Sequence, residues 1–107
     1  MTQTELYNLL EVLRDSFQQI FGEQFERMIL YGSRARGDHR ADSDVDVLVV
    51  LKGEVDYFEI DQKVGDLIAR LSLENDIVIS TAFVSKAQIQ QGRNPFVMNV
   101  HREGILV

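Results

Sequence analysis

Two aspartates one residue apart, Asp44 and Asp46, stand at the head of an apolar run, VLVVL over residues 47–51. Just before them the stretch GSRARGDHRADS holds a Gly-Ser pair and three arginines. In a strand, residues two apart share a face, so the two carboxylates would project together while Val45 and Val47 point the other way. Like charges held close repel and raise one another's pKa, and such a pair persists as two anions only beside a cation. A hard, oxygen-seeking ion such as Mg²⁺ is the natural choice. A lone D-x-D is more commonly a solvent-facing feature of a strand's beginning, so the neighbouring residues carry the weight.

Those neighbours suit a phosphate. Gly32 lets backbone amides approach a ligand closely, and the Ser33 hydroxyl, with a helical turn opening there, can bind phosphate oxygens. Arg34 and Arg36 lie nearest to that expected phosphate, although mixed charge of this kind also serves as plain counterions. Asp76 heads a second apolar run, and if that run is a strand beside the first, its carboxylate completes a trio able to hold two metals. The same residue could equally cap a helix or form a turn with Asn75. A phosphate cradle beside metal-binding carboxylates is a nucleotide site.

Competing motifs fail. Gly32 and Gly37 have the spacing of a P-loop, but Asp38 and His39 stand where Lys and Ser or Thr are required. Asp42, Asp44 and Asp46 resemble the first ligands of a calcium loop, yet Val47 replaces its glycine and Gly53 its bidentate Glu. A D-x-D site for sugar nucleotides usually needs a far longer chain.

At 107 residues the chain makes a single domain, and 45% hydrophobic with 26% charged residues makes it globular. The absence of cysteine removes disulfides and thiol catalysis, and His39 with His101 alone makes no zinc site. A net charge of −6 argues against general nucleic-acid binding. No apolar window reaches membrane-spanning length and the N-terminus lacks the regions of a signal peptide, so the expectation is a cytoplasmic protein with no membrane contact.

Elements must position these groups. Apolar spacing predicts an amphipathic helix over residues 4–21, started by a capping box of Thr2 and Glu5. Residues 27–31 and 45–51 read as strands joined by a loop over 32–41, and residues 76–83 as a third strand. A helix capped by Asp56 and Glu59 runs to about residue 73, with shorter helices over 86–91 and 95–102 and a tail or edge strand, ILV, at the end. That order implies an α/β (α+β) fold, a small mixed β-sheet flanked by helices.

The combination of Gly32-Ser33, ten residues, Asp44-x-Asp46 and a later Asp76 resembles the signature of the DNA polymerase β-like nucleotidyltransferases. The stretches YGSRARGDHRADSDVDVLVVL and NPFVMNVHREGILV resemble those of the minimal nucleotidyltransferases, many of which are MNT antitoxins paired with HEPN-domain toxins. The resemblance implies two Mg²⁺ ions held by Asp44, Asp46 and Asp76, with Gly32 and Ser33 on the triphosphate of ATP and Asp76 also able to accept a proton. It further implies transfer of AMP to a tyrosine of a HEPN ribonuclease, which silences that partner. Two alternatives stand beside it: a binding module that masks the partner stoichiometrically, and a transferase for a small-molecule acceptor.

Overall fold

Helix α1, Gln3–Phe21, starts on the expected capping box in the computed structural model, which describes all 107 residues. The Thr2 hydroxyl accepts from the Glu5 amide at 3.1 Å and the Glu5 carboxylate accepts from the Thr2 amide at 3.2 Å. These bonds from Thr2 hold the Glu5 carboxyl below the usual carboxylate range. Leu6, Leu9, Leu10, Leu13 and Phe17 form its buried stripe, the face that the i, i+3, i+4 spacing predicts.

A 3-10 turn, Gly22–Gln24, leads into β1, Phe25–Tyr31. The four-residue helix α2, Ser33–Arg36, is closed by Gly37 in the left-handed region at φ 85°. Next come β2, Val45–Leu51, and α3, Tyr57–Glu74, whose N-cap Asp56 accepts from the Glu59 amide. β3, Ile79–Ser85, is followed by α4, Lys86–Gln91, and by α5, Pro95–Glu103, where Asn94 caps a helix with proline in its first turn. The final residues form an edge strand, β4, Ile105–Leu106.

The sheet order is β3-β2-β1-β4, with β1 antiparallel to β2 and β4 and with β2 parallel to β3. It is the mixed, helix-flanked sheet that the sequence implies. One face packs on α1 and α3, with Val45, Val47 and Val49 meeting Leu13, Phe17, Ile60 and Val64. The other face packs on α5, with Leu48, Val50 and Ile29 meeting Val97 and Val100. β2 is buried on both sides, which explains why its sequence is a continuous apolar run and not an alternating one. No helix is long and apolar enough to cross a membrane.

The third strand begins three residues later than the sequence predicts, and Asp76 is not on it. The amide of Asp76 donates to the Leu73 carbonyl and the amide of Ile77 to the Ser72 carbonyl, while Asp76 itself takes φ 49°. That is a Schellman motif with Asp76 as its left-handed residue, so the backbone of Asp76 and Ile77 finishes α3 before any strand pairing starts. Apolar Ile77 and Val78 look like strand in sequence because the closing bonds of a helix leave no mark on residue type. We expect Asp76→Gly to raise stability by up to about 1 kcal/mol, since glycine adopts this conformation without the steric cost. The same variant should leave Mg²⁺ binding unchanged; urea unfolding and calorimetric titration check both, and lost binding would return Asp76 to the site.

Candidate nucleotide site

Strand register builds the site. Tyr31 of β1 pairs with Asp46 of β2, and Asp46 pairs with Ser80 of β3, so three polar side chains make a row across one end of the sheet. The parity of β2 puts Asp46 on the same face as Leu48 and Val50, the face that α5 covers. Asp44 lies just ahead of the strand and is exposed.

Asp46 is half-buried, and its carboxyl titrates above the usual aspartate value of 3.8. Burial is the main cause and the charge of Asp44 adds to it, while the Arg36 guanidinium partly offsets both. The Tyr31 hydroxyl is likewise raised above 10.0, by burial first and then by the charge of Asp46. Asp44, Asp46, Arg36 and Tyr31 therefore lie within one another's fields, as a shared face predicts.

Gly32 closes over the carboxylate. Its φ of 75° and ψ of −159° belong to backbone that side-chain-bearing residues avoid. A Cβ at this position would lie 2.5 Å from Asp46 Oδ2. Glycine is needed here twice, for the conformation and for the space, and the backbone at the start of α2 comes close to the carboxylate as a result.

The two arginines expected at the phosphate divide. Arg34 is 6% exposed; its Nε donates to the Ser43 carbonyl at 3.0 Å and a terminal nitrogen to the Ala41 carbonyl at 3.3 Å. Hydrogen bonds from a charged donor contribute about 1.5–3 kcal/mol each, so Arg34 is committed to bracing the loop that delivers Asp44. That role differs from the expected ligand contact. Arg36 is exposed and pairs with Asp38 at 3.3 Å, an interaction worth only about 0–1 kcal/mol. It is free to turn toward an anion.

Asp44 and Asp46 come together at the head of β2; no group of three or more acidic, histidine or cysteine side chains is arranged to hold a metal ion, and Asp76 lies in the turn that closes α3. The pair alone fits Mg²⁺, which binds through one or two carboxylates and completes its shell with water and substrate phosphates. Burial first, and then the neighbouring charge of Asp44, raise the proton affinity of Asp46, and a bound cation would offset both. Sequence reasoning missed both Ser80 and Tyr31 beside Asp46. Ser80 carried a weak signal, a polar residue inside an apolar run, but only pairing could align it with Asp46.

The fold is thus a helix-flanked mixed sheet that carries two carboxylates beneath a Gly-Ser turn. The family model described as "Nucleotidyltransferase domain" matches residues 10–106. A Methanocaldococcus jannaschii protein provisionally named a protein adenylyltransferase is 32% identical over 103 residues, covering 96% of this chain and 99% of that protein. Among solved structures, a Sulfolobus solfataricus protein assigned provisionally to the nucleotidyltransferases superposes with a TM-score of 0.61 at 21% identity, covering 94% of this chain and 79% of its own. A chain of a toxin–antitoxin structure with AMP-PNP superposes with a TM-score of 0.59 at 16% identity, covering 92% of this chain and 71% of its own. The chain belongs to the nucleotidyltransferase-domain family. Its enzyme class is nucleotidyl transfer, from a nucleoside triphosphate.

Asp46 binds its proton more tightly folded than unfolded, so without a divalent cation the folded state loses stability as pH rises from near 3.8 through the raised value. In chelating buffer at pH 7, Asp46→Asn should therefore melt at or above the wild-type temperature, with the gap closing in acid, and Mg²⁺ should raise only the wild-type Tm. Arg34→Ala should lose about 2 kcal/mol or more in chemical unfolding, because two loop carbonyls lose their donor. Arg36→Ala should stay within about 0.5 kcal/mol of wild type and weaken nucleotide binding.

Proposed function

We propose that this enzyme transfers AMP from ATP to a tyrosine hydroxyl of a toxin protein of the HEPN class and thereby silences it. The observation that carries the reading is the carboxylate pair, Asp44 and Asp46, crowded beneath the Gly32 backbone at the start of α2. Support for the acceptor class comes from the relative named for protein adenylyl transfer and from the fold shared with a toxin–antitoxin structure containing an ATP analogue.

In this reading Asp44 and Asp46 hold Mg²⁺, the Gly32 and Ser33 backbone with the Ser33 hydroxyl receives the triphosphate, and Arg36 swings from Asp38 onto a phosphate oxygen. Bound metal would neutralise the triphosphate and ease departure of pyrophosphate. The acceptor oxygen forms a bond to the α-phosphorus as the bond to pyrophosphate breaks. The hydroxyl proton passes to a carboxylate of the pair. Tyr31, whose hydroxyl is held protonated by burial and by Asp46, lines the same end of the sheet. A net charge of −6 suits approach to a basic, RNA-cutting partner.

The test is mass spectrometry of a candidate HEPN-class toxin after incubation with this protein, Mg²⁺ and ATP. The toxin should gain the mass of one or more adenylyl groups on tyrosine, and the Asp44→Asn, Asp46→Asn double variant should add none. A tight complex with no added mass would make the protein a masking module instead.

A further inference from the structure

A groove of about 340 Å³ separates α2 from α5 and reaches Gly32 at the edge of the carboxylate site. Tyr31 and Arg36 line it on one side, and Phe96, Asn99 and Glu103 on the other. It is continuous with the site through three of those residues. Gly32 lies over Asp46, Tyr31 pairs with Asp46 in register, and Arg36 lies within the field of the same carboxylate. Two other hollows, of about 370 and 200 Å³, lack this link. One lies between α1 and α3, and one beyond the far end of β2 is lined by Glu54, Asp56 and Glu59, which would repel phosphate.

The groove's walls have the chemistry of a flat, polar-edged ring. Phe96 sets its ring against Tyr31 edge to face, at 5.6 Å between centroids and 83° between planes. It remains 48% exposed, so part of its surface faces the groove uncovered. The Asn99 side-chain oxygen accepts from Arg102 at 2.8 Å, which leaves its amide hydrogens to donate. The carboxylate of Glu103, one helical turn further along α5, is an acceptor. A donor beside an acceptor complements the paired edge that each nucleobase carries, and an aromatic face binds any base by stacking.

Resting on the reading of this site as a nucleotidyltransferase centre, we propose that the α2–α5 groove is the nucleoside subsite, taking the base and ribose of the donor with Phe96 as its stacking surface. The triphosphate then runs from the groove past Gly32 to Ser33, and the face of the carboxylates away from α5 stays open for the acceptor. Affinity for the donor is divided between a phosphate part on α2 and a base part on α5.

Calorimetric titration of the full chain in Mg²⁺ with α,β-methylene ATP and, separately, with inorganic tripolyphosphate tests this division. The ATP analogue should bind about 10-fold or more tighter than tripolyphosphate. Phe96→Ala and Phe96→Leu should remove that advantage while leaving tripolyphosphate binding unchanged, and Phe96→Tyr should keep it. Equal affinity of the two probes for the wild type, or an equal loss of both in the Phe96 variants, overturns the subsite and leaves the nucleotidyltransferase reading standing. No binding of either probe overturns that reading, and the subsite with it.

Discussion

The pairing register of β2 is the constraint on which the site depends. Both faces of this strand are buried along most of its length, and a slip by one residue would exchange them. Asp46 would then enter the core among Leu13 and Phe17, where an unpaired carboxylate is far costlier than the apolar contacts it would displace are favourable. The native register instead leaves Asp46 at the thinner α5 side, near the end of the sheet, where water, cation or phosphate can reach it. Tyr31 and Ser80 become its neighbours through that same pairing, and Gly32 arrives above it because β1 ends there.

Around this fixed point the chain spends its rigid and mobile interactions differently. Backbone in a strained conformation at Gly32 and the buried guanidinium of Arg34 fix the approach of α2 and of the loop carrying Asp44. Arg36, held by a single exposed ion pair, keeps the freedom that a ligand-binding cation requires. Burial of the Asp46 carboxylate, with the charge of Asp44 beside it, opposes folding at neutral pH, and a bound divalent cation would offset that cost. A modest loss of stability in the empty protein is thus linked to affinity in the loaded one.

The near-complete overlap with a relative of similar length means that the core fold and the site of this family fit within about a hundred residues. α5, with Ile89 of α4, covers the face of the sheet that carries Asp46.

Much was legible in residue type and spacing, because some physics is local. Helix α1, the caps at Thr2 and Asp56, the apolar strand at residues 45–51 and the pair Asp44-x-Asp46 all follow from interactions within a few residues of one another. The Gly-Ser turn was legible too, since a glycine before a polar, helix-starting residue has few other uses. What the sequence could not decide was which distant residues meet. The acid at residue 76 matches the pattern of a third ligand, and nothing in its residue type foretold that its backbone takes the left-handed turn that closes α3. Arg34 and Arg36 look alike in a string of letters, and only the path of the loop buried one beneath its own carbonyls and left the other in solvent. Ser80 and Phe96 acquire meaning solely from the strand register and from the placement of α5, because packing between elements far apart in the chain is set by the whole core and not by any one segment.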